Sequence, residues 1–274
     1  VTLGFYKHFF NAMFYIHSNQ LAMIFFTLSI VSLYLYAVKN QKIWVYIGSL
    51  SIGFACLTRV DMLLCSLIFF FILTLIRTIE YKTIKYAWII FFALMLPWKL
   101  FTLYYTPWIK WYVSAAQLSF LIGANIILCS LSILLHKYNR IPIDLLRRSP
   151  SILMPIIILL LIFFIPEKIQ LSWNLFIKYI LLGHSTWLLL IFSLTISAIS
   201  IYYFSNHDEN YYILFSPTIL YLFMLFLLVV FSGYTGEDHS ASRMVLHIVP
   251  LYVFCLFVGL ITTIGQELKL FRSI

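Results

Sequence analysis

Gly53-Phe54-Ala55-Cys56-Leu57-Thr58-Arg59-Val60-Asp61-Met62-Leu63-Leu64 decides how this chain is read. It joins two apolar runs, Ile43–Leu57 and Met62–Ile76, each 15 residues long. Two opposite charges stand between them, Arg59 and Asp61. A charge at bilayer depth costs roughly 2.5–3.5 kcal/mol on insertion scales and is retained only where something depends on it. Opposite charges so close together therefore imply a short polar turn at a membrane face. Each flanking run is shorter than the ~20 residues of a straight span, so the pair reads as a short hairpin or a bent, partly buried pair. The turn is its tip.

Composition places the rest of the chain in the same solvent. Of 274 residues, 63% are hydrophobic and only 10% charged, and the mean hydropathy is +1.00. Soluble domains hold about 45–50% apolar and about 25% charged residues. The expected fold class is an all-α, polytopic transmembrane helical bundle of about eight to nine spans, forming a single transmembrane domain over 1–274. The expected location is a membrane, multi-pass, the cytoplasmic membrane if the source is bacterial. Further apolar runs lie at Leu21–Val38, Tyr86–Tyr105, Val113–Leu135, Ile152–Ile165, Thr186–Phe204, Tyr211–Phe231 and Met244–Ile264. The segment Gly4–His17 carries Phe5, Phe9, Met13 and Phe14 at helical spacing, as an interfacial helix or the tail of a span would.

The net charge of +9 reports topology before it reports a partner. Placing Lys39–Lys42 on the cytoplasmic side and alternating from there puts 11 of the 18 basic residues inside. The basic residues are scattered between spans instead of gathered on one soluble face, so nucleic acid is not an expected partner. On this topology Arg59 and Asp61 share the outer face with Glu237, Asp238, His239 and Arg243. Pro97-Trp98-Lys99 and Thr106–Trp111 read as interfacial belts, and Ser49 and Gly53, four apart, as a place of close helix approach. Cys56, Cys65, Cys129 and Cys255 lie within apolar segments without metal-ligand spacing and read as small buried hydrophobes. No phosphate-cradling glycine loop, zinc spacing or nucleophile elbow occurs.

The string Ala55-Cys56-Leu57-Thr58-Arg59-Val60-Asp61 resembles the Leu-Thr-Arg-Pro-Glu-Gly segment of the C-type integral-membrane glycosyltransferases, the GT-C fold. Those include protein O-mannosyltransferase-like and lipid A aminoarabinose transferase-like enzymes. Val60 stands where that pattern has proline and Asp61 where it has glutamate. Ser18–Ala22, Leu96-Pro97-Trp98 and the late Ala241–Leu251 are similar to other segments of the family in the same order. The resemblance implies transfer of a sugar from a polyprenyl-phosphate carrier to a lipid, glycan or protein acceptor on the outer face. It also implies a catalytic carboxylate in an outer loop between the first two helices. That loop has no counterpart in this sequence, so the chain reads as an N-terminally incomplete, C-terminal portion of a longer core.

The candidate residues follow from the chemistry. A guanidinium at headgroup level can bind two phosphate oxygens at once, which singles out Arg59 and Arg243 as substrate-binding candidates. A structural ion pair is the equal reading for Arg59, and a snorkelling side chain the plainer one for Arg243. Glu237, Asp238 and His239 could orient an acceptor, act as base or hold a divalent metal ion, although a solvated loop explains them as simply. His247 shares a helix face with Arg243 and joins the substrate-binding candidates; a hydrogen-bonded buried histidine is its plain reading. Asp61 is a weak catalytic candidate, beside the simpler roles of a cation's partner or a cap on the helix starting at Met62. Three rival classes remain open: an O-antigen polymerase- or ligase-like protein, a transporter or flippase of lipid-linked glycans, and a structural membrane subunit. The second predicts mid-membrane charges or breaks in matching halves, which the sequence does not show.

Overall fold

The computed structural model describes residues 2–76, 78–105, 115–138, 154, 156–167, 169–170, 209–232, 250–251, 253–259 and 261. Secondary structure among them is helical, with no strand. The main helices are α1 (Thr2–Lys39), α2 (Lys42–Thr58), α3 (Met62–Leu75), α4 (Tyr81–Tyr105), α5 (Ala115–Tyr138) and α6 (Glu209–Ser232). Shorter helical stretches occupy 156–164 and 253–259. Among the described residues, three helical segments are long and apolar enough to cross a membrane: Gln20–Lys39, Tyr81–Tyr104 and Leu118–Tyr138. The segment Gly4–His17 is no separate element: it continues into the first of these as one helix of 38 residues.

The chain divides into two units, Val1–Arg140 and Ile141–Ile274. In the first, α1 packs chiefly on α2, α2 on α4, and α3 on α5. Asn40 turns the chain from α1 into α2 with a positive φ of 52°, a conformation asparagine tolerates, and its N–H donates to the Tyr36 carbonyl at 2.7 Å. Close approach then depends on glycine. A Cβ on Gly48 would stand 3.0 Å from the Phe69 ring and 3.2 Å from the Ser29 carbonyl oxygen, so α1, α2 and α3 converge there. A Cβ on Gly53 would stand 3.0 Å from Leu94 Cδ1 in α4, in line with the expected close approach at Gly53. Ser49, by contrast, is buried and donates to its own helix at Val45 O.

Aromatic packing and a polar seam hold the remaining faces. Phe70 of α3 stacks on Trp88 of α4 with centroids 3.4 Å apart, and Phe91 and Phe92 extend the cluster. Between α3 and α5 the contacts are hydrogen bonds. Ser66 donates to Asn125 Oδ1 at 2.8 Å, and Asn125 Nδ2 donates to the carbonyls of Leu121 and Leu63. Further along, Thr74 and Ser132 share a 2.7 Å hydrogen bond, and His136 Nε2 donates to the Thr74 carbonyl at 3.0 Å. A carbonyl can only accept, so Nε2 is the protonated nitrogen. Such hydrogen bonds, with small residues at contacts, associate helices where lipid removes the hydrophobic drive.

One end of this unit gathers the loops expected on the cytoplasmic side. Lys42 Nζ donates to Glu80 Oε2 at 2.8 Å, and Tyr36 donates to the Thr78 carbonyl at 3.2 Å. The Lys42 ammonium beside it holds the exposed Glu80 carboxyl below its ordinary range. In the second unit, Ile169 packs with Ile158, Leu161, Ile165 and Leu227. There the Cys255 thiol donates to the Leu214 carbonyl of α6 at 3.4 Å.

Candidate functional site: a charged cluster at the α2–α3 turn

α2 ends at Thr58 and α3 begins at Met62, so Arg59, Val60 and Asp61 form the turn that the apolar flanks predict. Arg59 is extended and its N–H still donates to Ala55 O at 3.1 Å, closing the last turn of α2. Asp61 occupies the cap position of α3, yet its side chain makes no capping hydrogen bond. It accepts instead from Arg59 Nε, Oδ1 lying 2.8 Å away. The two side chains are only 16% and 14% exposed, so this is a half-sealed pair and not a surface one. The second carboxylate oxygen, Asp61 Oδ2, is buried and has no hydrogen-bond partner in the structure.

A third charge lies beside them. Lys99, in α4, is 1% exposed. α2 and α4 run in the same direction, with Gly53 against Leu94. Thr58, the last residue of α2, is five residues beyond that contact and so is Lys99, roughly 7.5 Å of helical rise each, which sets the α2–α3 turn and Lys99 at about one level. The Lys99 ammonium is accordingly within electrostatic reach of Asp61 and of the Cys56 thiol. The belt expected at Pro97-Trp98-Lys99 thus divides. Trp98 is 47% exposed, as an anchor would be, whereas Lys99 turns into the protein. The sequence held one signal for this: the apolar helix continues past Lys99 through Leu100, Phe101 and Leu103 to Tyr105, so the lysine is not at a span end.

Among the described residues, Arg59, Asp61 and Lys99 are therefore three largely buried charged side chains at one end of the first unit. Of the residues singled out in the sequence, the structure brings together Arg59 and Asp61. Arg243, Glu237, Asp238, His239 and His247 lie outside the described residues, as does the belt at 106–111. Among the described residues, no three His, Cys, Asp or Glu side chains are grouped to hold a metal ion. Cys56, Cys65 and Cys255 are buried free thiols, and Cys129 is a partly buried one. Comparison with protein-family models, with curated proteins and with solved structures finds no match to this chain.

Proposed function

We propose that the chain belongs to a multi-pass membrane enzyme of eight to nine spans that transfers a sugar from a polyprenyl-phosphate donor to a lipid, glycan or protein acceptor on the outer face. The observation that carries this reading is the half-sealed Arg59–Asp61 turn with a buried lysine at its level. A lipid-linked sugar presents its phosphate at the headgroup level, where the ends of helices lie. Transfer breaks the bond between the sugar's anomeric carbon and the phosphate oxygen, and negative charge grows on the departing phosphate. Fixed cations in a poorly hydrated site stabilise that charge without reorganising. The acceptor hydroxyl joins the anomeric carbon and gives its proton to a base, for which Asp61, Glu237 and Asp238 are the candidates in this sequence.

The test is sugar transfer by the protein in its native membrane, supplied with radiolabelled polyprenyl-phosphate sugars. Arg59→Ala is expected to lower turnover by about 100-fold, the scale of losing one charge-stabilising donor, with the thermal unfolding profile retained. Unchanged transfer in Arg59→Ala would remove the residue from the reaction. A wild-type protein that moves none of the sugars would overturn the enzyme reading.

A further inference from the structure

At the end of the first unit away from Arg59, lysines gather around one carboxylate. Lys39 closes α1, Lys42 opens α2, Lys82 and Lys85 stand in the first two turns of α4, and Lys137 stands in the last turn of α5. All five are exposed. Hydrogen bonds bring these helix ends together. Lys42 Nζ donates to Glu80 Oε2 just before α4, and His136 Nε2, beside Lys137, donates to the Thr74 carbonyl near the close of α3. Glu80 is one of two carboxylates in residues 1–140, the other being Asp61 at the opposite end, and Lys42 holds it at 2.8 Å. We propose that Lys82 and Lys85 bind the phosphate of an anionic phospholipid, whose acyl chain lies along the exposed stripe of α4 formed by Tyr86, Ile89 and Ala93. This site lies away from the α2–α3 turn and stands whether or not the chain transfers a sugar.

The register of α4 builds the site. Lys82, Lys85, Tyr86, Ile89 and Ala93 follow one another at i, i+3, i+4, i+7 and i+11, so they share one face, and all are exposed. Thr83, Ile84, Ala87, Trp88 and Phe91 make up the buried face, the one packed on Phe70. From Tyr86 the exposed stripe reaches Pro97, eleven residues on, or roughly 16 Å of helical rise. One leaflet contributes about half of the ~30 Å of hydrocarbon. The stripe therefore matches the acyl region of a single leaflet, with the lysines at its headgroup end. Their long apolar stems let the ammonium groups reach up to the phosphate, and Tyr86 lies where headgroup meets chain. Counted back from the contact of Gly53 with Leu94, Lys42 is eleven residues away, Lys85 nine and Lys82 twelve, so the three positions fall within about 5 Å of rise. Lysines gathered at one depth attract anionic headgroups in preference to zwitterionic ones.

The test is lipid retention by the full chain in nanodiscs made from equal parts of palmitoyl-oleoyl phosphatidylglycerol and palmitoyl-oleoyl phosphatidylcholine. Native mass spectrometry identifies the lipids that stay bound when the disc is removed. Wild type is expected to retain phosphatidylglycerol in preference to phosphatidylcholine. Lys82→Gln or Lys85→Gln is expected to lower that preference about fivefold, and the two together about thirtyfold, as loss of one and two lysines near an anionic surface does. Lys82→Arg with Lys85→Arg keeps the charge and is expected to keep the preference. Lys39→Gln is the control: its ammonium lies over the Trp44 ring at 5.5 Å, on a helix that packs chiefly on α2. It is expected to change the preference by less than about twofold. Equal losses from Lys39→Gln and Lys85→Gln would reveal diffuse surface charge and overturn the site. Equal retention of the two lipids by wild type would overturn it as well. Glycerophosphoglycerol, the same headgroup without chains, is expected to leave the lipid bound even at about a hundredfold excess, because it lacks the apolar part. Displacement by it would remove the stripe from the site and overturn the proposal.

Discussion

At Gly48 a single hydrogen in place of a side chain sets how closely three helices meet. The site where a Cβ would sit is 3.0 Å from Phe69 and 3.2 Å from the Ser29 carbonyl oxygen. The ring can rotate by a few tenths of an ångström, but the backbone oxygen cannot yield without moving α1. Gly48→Val is therefore expected to destabilise the first unit by about 1–3 kcal/mol through overpacking. Gly123 of α5 is its control, since nothing lies within 4 Å of a Cβ there. Gly123→Ala is expected to stabilise by about 0.5–1 kcal/mol through the gain in helix propensity. Unfolding of both variants in a denaturing mixed micelle, followed by circular dichroism, checks the pair, and equal shifts of the same sign would contradict the packing argument. The sequence marked Gly53 through its spacing to Ser49, but no spacing marks Gly48, because its partners arrive from two other helices.

Among the described helices, α3 is the most apolar, with eleven of its fourteen residues buried. Its two companions hold it by different means, aromatic stacking toward α4 and hydrogen bonds toward α5. Asn125→Ala removes the acceptor of Ser66 and the donor to two carbonyls. The expected loss is about 0.5–2 kcal/mol, the range of interhelical hydrogen bonds in membranes. A double-mutant cycle with Ser66→Ala measures the coupling, and a coupling of zero would show that the two side chains do not act together. This seam also shows where reading a sequence of this kind ends. The boundaries of α2 and α3 were legible, because Thr58–Asp61 interrupts two uniformly apolar runs. The partners of Ser66, Thr74, Asn125 and Ser132 were not, because small polar residues inside apolar runs disclose no direction. Lys99 was misread for a related reason. A lysine following proline and tryptophan has the composition of an interfacial anchor, and only the packing of α4 on α2 shows that it points inward.

For the first unit as a whole, polarity along the bundle is the organising fact. Lys42 and Glu80 meet at one end, while Arg59 and Asp61 close the other, with Lys99 buried at their level. A membrane-impermeant maleimide is expected to label Lys42→Cys and Glu80→Cys from one face, and Val60→Cys only from the opposite face. Labelling of Val60→Cys and Lys42→Cys from the same face would contradict a hairpin that crosses the bilayer. If it does cross, its length has a consequence for the lipid. α2 has 17 residues and α3 only 14, or about 26 and 21 Å of helix, against a hydrocarbon thickness of about 30 Å. Neighbouring α4, with 25 residues, exceeds that thickness at about 37 Å. The bilayer beside the hairpin must then dimple, drawing headgroups and water down toward Arg59 while α4 stands proud of the depression. The deformation costs a fraction of a kcal/mol per ångström, and a thinner membrane would relieve it, so lipid thickness itself becomes a determinant of where this protein resides.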